Sequence, residues 1–164
     1  VLETLAYSDF ASWMVVSPWA YPAFLTAHGL GMAVVVGLTL MVALRILGYP
    51  EQLALSGYRP AIRLGIAAFI VNATSGTLLF VADAVTLWPN PAFQFKLVAI
   101  VIGILALWLM VRGAMRRAAA LEARGETFVA TGSEKAVAIL TIVIWCAAVI
   151  VSGRLIAYLA PDLF

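Results

Sequence analysis

The chain has 164 residues, of which 65% are hydrophobic and 11% charged, with a formal net charge of +2 and a mean hydropathy of +1.07. Soluble domains run at about 45–50% apolar and about 25% charged, so this composition excludes an ordinary water-soluble fold and points to lipid. The small net charge argues against nucleic acid as a partner, and the single cysteine, Cys146, excludes an internal disulfide.

Residues 2–14 place Leu2, Leu5, Ala6, Phe10, Trp13 and Met14 near helical spacing, with Glu3, Ser8 and Asp9 elsewhere. That pattern predicts a short amphipathic helix lying in a membrane interface. Acidic residues where a signal peptide carries a basic start argue against a removable leader. "SPW" then turns the chain, and Pro22 suits the first turn of a helix.

Four apolar runs follow, at approximately 22–44, 61–82, 95–111 and 136–159. A hydrocarbon core of about 30 Å needs about 20 helical residues, so each is an expected span. Unpaired backbone groups are not tolerated in lipid, which makes helix the only expected conformation. The loop "LWPNPAF" is short and stiffened by proline. The segment "RGAMRRAAALEARGETFVATGSEK" is predicted to continue the third helix into the cytoplasm, to break at Gly125 and Gly132, and to cap the fourth helix at Ser133. With no repeat or linker, residues 1–164 are expected to form one membrane domain. The expected fold is an all-α, four-transmembrane-helix bundle with an N-terminal interfacial helix.

Cationic residues set the expected orientation. Arg45, Arg59, Arg63, Arg112, Arg116, Arg117, Arg124 and Lys135 fall on one side of the spans, and only Lys96 and Arg154 fall on the other. By the positive-inside rule the crowded side is cytoplasmic and both termini lie outside. Trp13, Trp19, Tyr21 and Trp88 then form the outer aromatic belt.

Helical spacing aligns Gly65, Asn72, Gly76, Leu79 and Asp83 on the second span, and Gly29, Ala33 and Gly37 on the first. The second set is a small-residue ladder of the kind that admits close helix approach. Lys96 shares a stripe with Gly103, and Arg154 with Ala147. At 1.5 Å per residue, His28 lies about 9 Å below the outer boundary, level with Gly76. Charged groups in spans pair or face wet cavities. The expected polar cluster is therefore Asn72, Asp83, Lys96 and Arg154, with Asp83 paired to Arg154 or Lys96 above His28.

His28 is the only histidine. Four uses stay open: a helix-to-helix hydrogen bond, haem ligation, soft-metal ligation, and proton or quinone chemistry. Haem b would require pentacoordination, a His28/Met14 pair, or a partner chain's histidine. Copper would draw on His28 and Met32, one turn apart on one face, with Met14 and Cys146 as further soft ligand types. No nucleophile elbow, phosphate loop, zinc motif or dinucleotide fingerprint is present.

Three stretches, "AHGLGMAVVVGLTLMVALRILG", "TSGTLLFVADAVTLWPNPAFQFK" and "GRLIAYL", resemble an uncharacterised bacterial family of small four-span membrane proteins. A looser likeness, in the histidine-bearing first helix, is to copper-resistance membrane proteins and b-type cytochromes, whose additional histidines are absent here. The resemblance singles out His28, Arg45, Gly76, Asp83, Asn90, Pro91, Lys96, Gly153 and Arg154. The expected role is a non-enzymatic inner-membrane subunit or accessory protein, packed against itself or other subunits in the bilayer. The alternative is a haem b or copper protein with His28 as ligand.

Overall fold

The computed structural model describes residues 2–51 and 53–159, the stretch 149–159 by its backbone alone. Among the described residues every regular element is helical. Two short helices, α1 (Leu2–Ala6) and α2 (Asp9–Val16), stand where one helix over 2–14 was expected. The break has a local cause: Ser8 is extended, and its Oγ accepts from the Ala11 N–H at 3.2 Å, capping α2. The next helix, α3 (Ala20–Ile46), holds Pro22 within its first turn, where the missing N–H leaves nothing unpaired.

A 3-10 turn (Leu55–Tyr58) leads into α4 (Arg59–Ala82). Asp83, at φ −144° and ψ 48°, separates α4 from the single turn α5 (Ala84–Leu87). Asn90 starts α6 (Pro91–Met110): its Oδ1 accepts from the N–H of Ala92 at 2.9 Å and of Phe93 at 3.4 Å, while Pro91 takes the first position. The helix runs on through a π-type turn (Val111–Met115) into α7 (Arg116–Glu122), beyond the end of its apolar run. Gly125, at φ +73°, then adopts the left-handed conformation that glycine takes at least cost.

The last helix, α8 (Gly132–Leu159), is capped by Thr131 rather than by Ser133. Thr131 Oγ1 accepts from the Glu134 N–H at 3.3 Å, and Glu134 accepts in return from the Thr131 N–H at 2.8 Å. "TGSE" is therefore a reciprocal capping box, with the acid three residues after the cap. Ser133 has no acidic residue at that spacing.

Three helical stretches are long and apolar enough to cross a membrane: Ala20–Ile46, Leu55–Ala82 and Pro91–Glu122, with mean hydropathies of 2.1, 1.8 and 2.4. Helix α3 packs antiparallel on α4, α6 packs on α8, and α3 joins the two pairs by touching α8. The α3–α4 register is set by Gly31 against Ala68 and Asn72, Gly65 against Leu38, and Gly76 against His28. The expected Gly29–Ala33–Gly37 ladder is not the contact. Ala33 and Gly37 are exposed, and a Cβ on Gly29 or Gly37 would meet nothing within 4 Å. The packed stripe is Gly31, Val35, Thr39 and Val42 instead, because larger apolar side chains flanking one small residue bury more area than a ladder of small ones.

The main core lies at the arginine-rich end, where Val42, Ile46, Leu55, Tyr58, Met110 and Phe128 bury together. Polar bonds knit the same end. Arg45, only 7% exposed, donates from Nε to the Leu53 carbonyl and from Nη2 to the Glu51 carbonyl at 3.1 Å. Glu122 accepts from the N–H of Leu55 at 2.8 Å and of Ser56 at 3.3 Å, tying α7 to the start of the 3-10 turn. Arg117 donates from Nε to Glu134 at 2.9 Å and lies over the Phe128 ring.

Hydrogen bonds from Arg117, joined by those from Thr131, hold the Glu134 carboxyl below the usual carboxylate range. A carboxyl lowered in this way stabilises the fold above its unfolded pKa of about 4.3, and the contribution is lost as pH falls through the folded value. Glu134→Gln should lower the melting temperature in detergent at pH 7, and its difference from the parent should shrink steadily below about pH 4. A difference that persists undiminished at pH 3 would contradict this account of the cap.

Candidate functional site

At the end opposite this core, α3 carries His28 toward α4. His28 Nδ1 lies 2.9 Å from the Asn72 carbonyl oxygen. A carbonyl can only accept, so this contact assigns the proton to Nδ1 and leaves the lone pair on Nε2. The Asn72 amide returns the contact, its Nδ2 donating to the His28 carbonyl at 2.7 Å. From α6, Lys96 Nζ approaches Nε2 at 3.5 Å and supplies the donor that the lone pair requires. One imidazole thereby links three helices.

Two small residues create its seat. A Cβ on Gly76 would lie 2.7 Å from His28 Cε1, and one on Gly31 would lie 3.0 Å from the Ala68 carbonyl. Both distances are below ordinary van der Waals contact, so glycine at 31 admits the α4 backbone and glycine at 76 admits the imidazole itself. Ser75 Oγ is 3.4 Å from Nδ1 but donates to the Val71 carbonyl at 2.7 Å. Because Nδ1 already carries a proton, it cannot accept one from Ser75, and the pair is not a nucleophile with its base.

Beside the imidazole, α4 and α6 flank a cavity of about 420 Å³ lined by Leu25, His28, Asn72, Leu79, Lys96 and Leu97, among others. Aromatic rings line its end nearest α5. Phe80 stacks on Phe93 with centroids 5.4 Å apart and meets Trp88 edge-on at 6.3 Å. Inward, a void of about 20 Å³ between Met32, Lys96 and Trp145 leads toward an apolar groove of about 150 Å³ along α3, α4 and α6.

Of the residues singled out from sequence, the fold brings His28, Asn72 and Lys96 together. Met32 borders the narrow void and not the chamber, and Met14 is fully buried on α2, away from the chamber wall. The expected Asp83–Lys96 pair is not formed: among the described residues the one ion pair joins Arg117 and Glu134. The chain kinks at Asp83, and Lys96 is turned to the imidazole instead. Asp83 Oδ2 is buried with no hydrogen-bond partner among the described residues. The Arg154 side chain lies outside those residues, as does any Asp83–Arg154 pair. No group of three or more His, Cys, Asp or Glu among the described residues could hold a metal ion.

Gly31 and the Phe80–Phe93 stack were not anticipated, whereas Ser75 had been placed near His28 by depth. Gly31 was legible, since it lies three residues from His28 and four from Val35, on one helical face. The stack joins residues from two helices and had no signal in either. No family model matches the chain, and neither does any curated protein or solved structure.

Gly76→Ala should displace the imidazole and cost about 1–3 kcal/mol, the usual range for overpacking. Gly29→Ala meets open space, so it should leave stability unchanged or raise it by up to about 1 kcal/mol. Unfolding titrations of the two variants in detergent test this seat. Equal stabilities would remove it.

Proposed function

We propose that the chain is a four-span integral protein of a bacterial inner membrane, with both termini periplasmic. In this reading it acts without catalysis, as a subunit or accessory of a larger membrane assembly or of a homo-oligomer. Its likeness to the uncharacterised four-span family belongs to the same proposal. The fourth span is α8, whose 28 residues would extend about 42 Å at 1.5 Å each, more than the hydrocarbon thickness of about 30 Å. The orientation follows from the eight cationic residues gathered at the end that carries Arg45 and Arg117.

The observation that carries the subunit role is the open flank of α4. Only 6% of the residues in its most apolar stretch are buried, against 39% in α3 and 28% in the α6 stretch. Among the long helices, α4 packs chiefly on α3. A four-helix bundle that stands alone gives each helix two neighbours. A second copy or another membrane subunit supplies the missing one, over the exposed side chains of Leu64, Ile66 and Ile70. His28 supports a structural role as well, because both ring nitrogens face protein groups.

One feature favours the second reading, a haem b or copper site on His28. An imidazole whose Nδ1–H is fixed on a backbone carbonyl presents Nε2 in the posture of a ligand. Lys96 occupies that direction, so ligation requires its amine to swing away. On this reading, purified protein has a visible absorption band that is lost in His28→Ala.

Photo-crosslinking separates the two roles. A benzophenone amino acid at Ile66 or Ile70 should give an adduct in native membranes, and one at Val101 on α6 should not. Monomer at all three positions would overturn the subunit role. A cysteine at Arg124 should resist an impermeant maleimide in intact spheroplasts, and rapid labelling there would invert the topology.

A further inference from the structure

The chamber between α4 and α6 has a use that helix packing alone does not require. We propose that it is a lateral binding site for a single-chain anionic amphiphile, a carboxylate on a long acyl chain, with Lys96 holding the head. The inference rests on the membrane reading above and is independent of any protein partner.

Charge is the first argument. Lys96 sits a turn and a half inside α6, and an ammonium has three donors. One is directed at His28 Nε2, and no carboxylate among the described residues lies within ion-pair distance. A cation within a span that lacks an anion is costly, and a ligand carboxylate removes that cost. The imidazole steadies the ammonium without neutralising it, since neutral His28 offers only a lone pair.

Donor supply argues for a small head. The hydroxyl and amide side chains that line the chamber are spent on backbone: Asn72 on the His28 carbonyl and Thr77 on the Ala73 carbonyl. A sugar or glycerol head would need several polar partners, whereas a carboxylate needs one strong one. Hydrocarbon fills the remaining requirement. Leu25, Leu79, Leu97 and Ile100 line the chamber, and the apolar groove of about 150 Å³ lies on the inward side, in the direction of an acyl tail. The volume of about 420 Å³ falls within the range of about 300–1,000 Å³ typical of small-molecule sites. Because α4 and α6 do not pack on each other, entry is from the lipid side rather than from water.

The test uses the full chain in phosphatidylcholine nanodiscs with a diazirine-bearing palmitate, irradiated and mapped by mass spectrometry. Adducts should concentrate at the chamber, on residues such as Leu79 and Leu97, and excess palmitate should displace them. Methyl palmitate, which has the tail without the charge, should not. Lys96→Met should reduce labelling about tenfold, the effect of losing one charge-assisted contact. Leu97→Trp, which fills the chamber and leaves the charge in place, should reduce it as well. Adducts spread evenly over the lipid-facing sides of α3, α4 and α6 would leave the membrane reading intact and end this proposal. Displacement by methyl palmitate equal to that by palmitate, or undiminished labelling of Lys96→Met, would also overturn it. Failure of the membrane reading would look different, as a chain that does not enter nanodiscs.

Discussion

Close approach between α3 and α4 is the constraint on which the arrangement depends. Gly31 lacks the side chain that would hold the α4 backbone away, and Gly76 lacks the one that would displace the imidazole. Only at that separation can the His28 imidazole reach the Asn72 carbonyl while the Asn72 amide reaches the His28 carbonyl. The exchange matters more in lipid than it would in water, since no solvent is present to satisfy a polar group left over. Once Nδ1 is committed, Nε2 has one direction to face, and it faces Lys96. A pair of glycines thus decides the orientation of a group on a third helix.

The two ends of the bundle are held by different physics. At the arginine-rich end, side chains bond to loop carbonyls and N–H groups: Arg45 to Leu53 and Glu51, Glu122 to Leu55 and Ser56, Arg117 to Glu134. These bonds lie beside the largest apolar core, so the loops and the helix ends are fixed together. At the opposite end the long helices are tied across α3 by one imidazole and roofed by aromatic stacking. Between α4 and α6 this leaves space. Because α4 and α6 do not pack on each other, the bundle has a natural place for a lateral chamber.

That division bears on how His28 is understood. A lone imidazole in an apolar run invites a cofactor, and its fixed tautomer is compatible with one. Yet the groups around it behave as structural partners first. Asn72 gives both a carbonyl and an amide to the contact, Lys96 gives an amine, and Met14 lies away on α2, while Met32 borders the narrow void that Asn72 and Lys96 also line. Among the described residues no carboxylate pairs with Lys96, which stands beside a hydrocarbon-lined space.

Much of the architecture was legible before any coordinates. Apolar runs longer than a bilayer is thick must be helical, because no other conformation pairs every backbone group within the segment. Loop chemistry was partly legible, through Pro22 and Gly125. The split between α1 and α2 was missed because the apolar pattern continues across Ser8, and periodicity does not register a side chain that caps. The placing of Asn72 and Lys96 near His28 followed from depth, which topology and rise per residue supply. What depth cannot supply is rotation about each helix axis. Sequence alone thus determined the all-helical character, the apolar lengths and the asymmetry of charge, all set by composition and spacing along one chain. Only the tertiary structure decided that Gly31 and not the Gly29 ladder makes the contact, that Lys96 turns to imidazole and not to Asp83, and that α4 stands apart from α6. Each of those outcomes depends on the mutual rotation and separation of helices, which are settled by packing between segments and not encoded in any one of them.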